Sequence, residues 1–171
     1  VTGSLGNLQV GSYSYQLRAA LPADLPGVID LLAADQIGAT RDSWGGDVTG
    51  YRRAFDAITQ DPAQLLLVAV DPADGALVGT LQLTVIPGLA RRGALRAQIE
   101  AVRVAVDRRG GGLGGAMIRW AVAEAGNRGC TLVQLTSDVR RADAHRFYEQ
   151  LGFTASHTGF KLDLRALNSH S

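Results

Sequence analysis

A single cysteine, Cys130, stands in a chain of 171 residues, so no internal disulfide forms and a reducing cytoplasm is the expected setting. It opens the apolar stretch Cys130-Thr131-Leu132-Val133, where buried packing is its expected role rather than nucleophilic catalysis. Long basic runs are missing too. With 17 Lys and Arg against 16 Asp and Glu, the formal net charge is +1, which leaves nucleic acid and membrane surfaces without an electrostatic footprint. No apolar run approaches a membrane span. No basic start leads into an apolar core at the N-terminus, so no signal peptide is expected. No His, Cys, Asp or Glu spacing suggests a metal site. Repeats and low-complexity linkers are also lacking. Hydrophobic content of 46% and charged content of 19% suit an ordinary soluble globular protein of one domain.

Two periodicities alternate along the chain. Residues 1–14 are small, polar and glycine-rich, and read as a flexible extension before a single domain over 15–171. Tyr15 to Ala19 reads as a strand. Leu21-Pro22-Ala23-Asp24 is a helix entry, followed by Val28, Leu31 and Leu32 at helical spacing. Gln36 to Asp47 reads as a loop, and Tyr51, Phe55 and Ile58 mark a second helix ending before Pro62. Leu65 to Val70 and Leu77 to Ile86 flank the turn Asp71-Pro72-Ala73-Asp74-Gly75 and predict a hairpin. Pro87 to Ala94 is a loop containing Arg91-Arg92, and Arg96 to Val106 is the next strand. Then come a helix (Gly112 to Gly126), a strand (Thr131 to Thr136), a helix (Ala142 to Leu151) and a final strand pair at Gly152-Phe153 and Lys161-Leu162. The class is α/β with a mixed sheet.

The run Arg109-Gly110-Gly111-Gly112-Leu113-Gly114-Gly115 admits three readings. From Gly110 to Gly115, five of six residues are glycine. A plain turn is the bland reading. An anion site explains the entropic cost better, with backbone N–H groups converging at a helix N-terminus. Gly110-x-Gly112-x-x-Gly115 also fits a dinucleotide fingerprint, with Asp138 as the ribose-binding acid. After Asp138, however, only one helix and a strand pair remain, too little for a further βαβ series. No Lys-Ser or Lys-Thr follows the glycines, which excludes a P-loop.

Glu100-Ala101-Val102-Arg103-Val104 followed by Arg109-Gly110-Gly111-Gly112-Leu113-Gly114 resembles the acetyl-CoA motif of the GNAT superfamily of N-acetyltransferases. That motif reads Arg/Gln-x-x-Gly-x-Gly/Ala, and Arg109, Gly112 and Gly114 match it. Ala144-His145-Arg146-Phe147-Tyr148-Glu149-Gln150-Leu151-Gly152-Phe153 is similar to the family's C-terminal motif. The resemblance runs from Tyr15 to Leu164, opening on Leu17-Arg18-Ala19 and Asp24-Leu25-Pro26. Gln82-Leu83-Thr84, Ile86-Pro87-Gly88, Arg96 to Glu100, and Ala155-Ser156-His157 with Gly159 and Lys161 resemble a bacterial subgroup without an assigned substrate. Arg141 departs from the pattern: it stands where many members carry Asn, three residues before the motif alanine.

The resemblance implies a GNAT fold, a mixed, mostly antiparallel twisted sheet of about seven strands flanked by about four helices. It also implies transfer of an acetyl group from acetyl-CoA to a primary amine of a small molecule or peptide, directly in a ternary complex. Homodimers are common in the family. Glu100 is the candidate base, directly or through water, and period-two geometry puts Gln98, Glu100, Val102 and Val104 on one face. Its bland alternative is a surface ion pair with Arg103 or Arg96. Tyr148 is the candidate general acid for the leaving thiolate, against a packing role beside Phe147 and Phe153. The expected cofactor contacts are Val102, Arg103 and Val104, aided by a strand bulge, then Arg109, Gly110, Gly111, Gly112, Leu113, Gly114 and Gly115, with Arg141 directed at a phosphate or solvent. The expected acceptor contacts are Asp35, Thr40, Arg41, Gln82, Thr84 and Gln98. His145, His157 and Arg91-Arg92 take surface or loop roles by default, with the acceptor pocket as the sharper option for His157 and an acidic acceptor or a partner subunit for the arginine pair. A silent acyl-CoA-binding sensor is the alternative from another functional class.

Overall fold

A short hairpin starts the sheet. In a computed structural model, which describes residues 3–34 and 47–164, β1 (Ser4–Val10) pairs antiparallel with β2 (Tyr13–Ala19). Val10 faces Tyr13 across the turn Gly11-Ser12, with Gly11 at φ 59°, a conformation that favours glycine. The stretch expected to be a loose extension thus holds a strand over residues 4–10. A Gly-Ser pair between two alternating segments is a hairpin signal that the composition obscured.

Beyond β2, a 3-10 turn (Pro22–Asp24) leads into α1 (Leu25–Ala33), and α2 (Thr49–Gln60) follows the undescribed residues 35–46. The Asp24 carboxylate fixes the helix entry. It accepts the Leu21 N–H at 2.6 Å and the Arg18 guanidinium at 2.6 and 2.9 Å. Burial pushes the Asp24 carboxyl up, but the bonds from Arg18 and Leu21 outweigh it and hold the group below its ordinary value.

Four further strands complete the sheet: β3 (Gln64–Val70), β4 (Leu77–Ile86), β5 (Leu95–Val104) and β6 (Cys130–Leu135). Their order is β1-β2-β3-β4-β5-β6, antiparallel except for the parallel pair β5–β6. A doubly wound dinucleotide fold needs a mostly parallel sheet, so this topology removes that rival. Between β4 and β5 lies the single turn α3 (Ala90–Gly93). A 3-10 turn (Val106–Arg108) then leads into α4 (Leu113–Asn127), before β6.

The two sheet faces bury different partners. Leu66, Val68 and Val70 join Leu25, Val28, Ile29 and Phe55 of α1 and α2 in one cluster. On the opposite face Gly79 abuts α4, where an added Cβ would meet Met117 Sδ at 2.8 Å. Leu81 and Leu83 share that face by alternation, and both are fully buried, as are Met117, Ile118 and Ala121.

The described residues from 136 to 164 belong to a second compact unit, containing α5 (Ala142–Gln150). Here the expected last strand pair is not formed among the described residues, and the sheet has six strands rather than about seven. Phe160, Leu162 and Leu164 alternate as a strand would, yet stand 93, 71 and 66% exposed. Alternation yields a strand only where a neighbour supplies ladder bonds and packing. Among the described residues no helix is long and apolar enough to cross a membrane.

Candidate active site

β4 and β5 run in step from Ile86 opposite Arg96 to Gln82 opposite Glu100, and then slip. Thr80 next faces Arg103, so Leu81 alone opposes both Ala101 and Val102. This is a β-bulge, and Ala101 takes a left-handed φ of 54° within it. The expected common face of Gln98, Glu100, Val102 and Val104 therefore breaks after Glu100. Arg103 comes opposite Thr80, whereas Val104 comes opposite Gly79 on the α4 face.

Glu100 is exposed, and among the described residues no hydrogen bond or ion pair reaches its carboxylate. Next to it runs a row of amides and hydroxyls across four strands. Gln64 Oε1 accepts from Gln82 Nε2 at 3.1 Å and from Thr84 Oγ1 at 2.6 Å. Gln134 Nε2 donates to Gln98 Oε1 at 2.8 Å. Thus Gln82, Thr84 and Gln98 lie on the face that carries Glu100, joined by Gln64 and Gln134. Those two were missed in the sequence, where each is a lone glutamine against an apolar strand. Asp35, Thr40 and Arg41 lie outside the described residues.

The glycine run leaves β5 through the 3-10 turn. Arg108 pins that turn to Asp71, which is 3% exposed, at 3.3 Å. Asp71 also accepts the Tyr13 hydroxyl and the Ala73 N–H. The Tyr13 bond first, then Ala73 and Arg108, hold the Asp71 carboxyl below its ordinary value against burial. Arg109 braces the next residues, with Nε on the Val104 carbonyl at 3.0 Å and Nη2 on the Ala34 carbonyl at 3.5 Å. Gly110 and Gly112 hold φ 77° and 96°, and Gly112 is the N-cap of α4. Leu113 is buried and plugs the helix base, Gly114 is partly exposed in the first turn with its N–H outside the helical ladder, and Gly115 is buried behind it. Arg119 bends back over Gly115, where an added Cβ would lie 3.3 Å from its Nη1. This guanidinium, unassigned in the sequence, adds positive charge to a helix end that already favours anions. The bare glycines, left-handed backbone and added charge fit a pyrophosphate.

In the second unit, Arg141 is the N-cap of α5 and its N–H bonds the Asp138 carbonyl at 3.0 Å. The same carbonyl meets His145 Nε2 at 2.9 Å. The Asp138 carboxylate is taken by Arg140, at 2.8 Å to both Nε and Nη2. Tyr148 is half-buried, its ring 5.3 Å from Phe147 and 6.0 Å from Phe153. Its aromatic body is therefore packed, as the bland reading expected.

The model of the Acetyltransferase (GNAT) family matches residues 30–153. The chain belongs to the GNAT acetyltransferase family. This GNAT enzyme is 31% identical over 114 residues to an aminoalkylphosphonate N-acetyltransferase of Salmonella typhimurium, spanning 67% of the chain and 72% of the relative. Among solved structures, it is similar to a Bacillus halodurans protein described as a transcriptional regulator. Identity is 42% and the TM-score 0.83, over 88% of this chain and 99% of the other. A Trypanosoma brucei acetyltransferase matches at 27% identity and a TM-score of 0.72, covering 88% and 99% of the two chains.

Proposed function

We propose that this enzyme moves the acetyl group of acetyl-CoA to a primary amine of a small molecule or peptide, by direct transfer in a ternary complex in the cytoplasm. Residues 15–171 act in this reading as one acetyltransferase domain. The observation that carries it is the bulged β5, which holds the exposed Glu100 and leads through the 3-10 turn to the glycine cradle at the α4 N-terminus. Acetyl-CoA supplies an activated thioester. The N–H groups of Gly112, Leu113, Gly114 and Gly115 and the Arg119 guanidinium hold its pyrophosphate, and Arg109 keeps the loop in shape. Arg141 offers a further phosphate contact. The bulge bends β5 at Val102, and the backbone of Val102, Arg103 and Val104 lies along the pantetheine arm and thioester in this reading, because a bulge locally re-aims its strand.

Glu100 accepts the proton of the ammonium form of the acceptor, directly or through one water, so that the neutral amine attacks. The Tyr148 hydroxyl would give its proton to the sulfur as the C–S bond breaks, and would regain one from the attacking nitrogen as the amide forms. The amine comes from the Salmonella relative, whose name describes an N-acetyltransferase. Thermal shift with acetyl-CoA, followed by thiol detection across an amine panel, tests the reading. Stabilisation and CoA release with at least one amine are expected. Absence of stabilisation overturns the cofactor assignment. Stabilisation without CoA release from any amine favours a silent acyl-CoA sensor.

A further inference from the structure

The arginines around the β4–β5 connection have no place in the chemistry above. Arg91, Arg96 and Gln134 line a concavity of about 280 Å³ with Gly88, Thr131 and Leu132. Arg96 is half-buried, and its Nη1 lies over Gly88, where an added Cβ would come within 3.2 Å. Among the described residues no hydrogen bond or ion pair reaches the guanidinium of Arg91 or Arg96. Arg91 is exposed and Arg96 half-buried on the lining of the same concavity, where one oxyanion accepting from both would supply a counter-charge through charge-assisted hydrogen bonds. The chain accepts strain to hold this shape. Arg91 and Arg92 sit at φ 55° and 61°, a left-handed backbone costing roughly 1–2 kcal/mol per non-glycine residue.

The place of the concavity decides which anion it takes. The pyrophosphate cradle begins beyond the far end of β5, on the order of 30 Å from Arg96 along the strand. In contrast, Arg96, Gln98 and Glu100 follow one another on a single face, opposite Ile86, Thr84 and Gln82. Gln134 belongs both to the concavity and to the amide row, through Gln98. A continuous track therefore joins the concavity to Glu100, about 13 Å long at the backbone.

We infer that the concavity binds an oxyanion of the acceptor itself, so that the substrate is an amine carrying a phosphonate, phosphate or carboxylate. The anion lies between Arg91 and Arg96, and the amine lies along β5 at Glu100. This rests on the acetyl-transfer reading for the role of Glu100, but the anion site stands on its own geometry.

The test uses the full chain with ω-aminoalkylphosphonates of two, four and six methylenes, each paired with the n-alkylamine of equal length. For at least one length, kcat/KM for the phosphonate exceeds that for the alkylamine tenfold or more. Arg96→Gln and Arg91→Gln each lower this ratio at least tenfold, Arg96→Lys recovers part of it, and Arg53→Gln on the exposed side of α2 leaves it unchanged. Salt at 0.5 M compresses the ratio in the wild type, as screening requires. Ratios near one at every length, or equal losses on both acceptors in the arginine variants, overturn the inference. Calorimetric titration of the phosphonates into CoA-loaded protein separates the two readings. Binding that depends on Arg96, without CoA release, keeps the anion site and removes acetyl transfer. CoA release without any preference keeps acetyl transfer and removes the anion site.

Discussion

Gly111 and Gly112 are neighbours in the same loop, yet alanine should affect them oppositely. Gly112 holds φ 96°, and Gly111 does not need a positive φ. An added Cβ on Gly111 meets nothing nearer than the Arg108 carbonyl at 3.7 Å, an ordinary contact. On Gly112 it lies 3.4 Å from Val10 Cγ1, so the backbone decides the outcome there. Alanine removes unfolded-state freedom at both sites, worth about 0.4–1 kcal/mol in favour of folding. At Gly112 the left-handed penalty of roughly 1–2 kcal/mol opposes that gain. The variants Gly111→Ala and Gly112→Ala therefore differ by about 1–2 kcal/mol. For a domain of this length each kcal/mol moves the midpoint by about 2–4 °C, so Gly111→Ala should melt roughly 2–8 °C above Gly112→Ala in calorimetry. Gly112 is also the N-cap of α4, so its relaxation should misdirect the first-turn N–H groups. A loss of about 1.4 kcal/mol there weakens acetyl-CoA binding tenfold. Equal melting temperatures for the two variants would refute the claim that the left-handed backbone at Gly112 is required.

Glu100→Gln and Tyr148→Phe should each lower kcat by about 10²–10⁴-fold with acetyl-CoA affinity kept, as measured by steady-state kinetics and calorimetry; unchanged kcat in either removes that residue from proton transfer. Asp24→Asn should destabilise the fold by about 1–3 kcal/mol through the weakened, formerly charge-assisted bonds to Arg18 and the Leu21 N–H, read by urea unfolding. The folded-state shifts of Asp24 and Asp71 are downward, so their contribution is whole above the unfolded carboxylate value and fades as pH falls through about 4 towards the folded values. Midpoints measured from pH 6 to pH 3 should fall less steeply in Asp24→Asn than in the wild type. Gly79→Ala drives a methyl into Met117 Sδ and to within 3.3 Å of the Arg103 carbonyl. It should cost about 1–3 kcal/mol, and a melting point equal to the wild type would show that Met117 moves aside freely.

Much of this architecture was legible because period and punctuation agreed. Leu65 to Val70, the Asp71 to Gly75 turn and Leu77 to Ile86 read as a hairpin, and β3 and β4 are paired there. Helix α4 was announced by the glycines before it. Residues 4–10 were hidden by their composition, since Gly6, Asn7 and Gln9 mask an edge strand whose partner supplies its order. The final strand pair failed for the converse reason: its alternation is present, but a ladder is made by neighbours. Within the site, Glu100 and the glycine run carry local signals. Arg119 does not, because its link to Gly115 exists only once four residues close into a helical turn. Gln64 and Gln134 were unreadable alone, since each acquires meaning from the residue opposite it.

The bulge at Ala101 and Val102 gives a single strand two orientations of side chain. Residues up to Glu100 keep step with β4, and residues from Arg103 onward are displaced by one position. Deleting Ala101 would restore an unbroken ladder without touching a charged group or a glycine. With Glu100 still opposite Gln82, Val102 would face Leu81 alone, while Arg103 would stay opposite Thr80 and Val104 opposite Gly79. Only the bulge and its left-handed residue would go, and with them the local bend of β5 beside Glu100. Deleting one residue thus separates the bend from the pairing: the sheet keeps every partner, and any loss of acetyl transfer belongs to the bend alone.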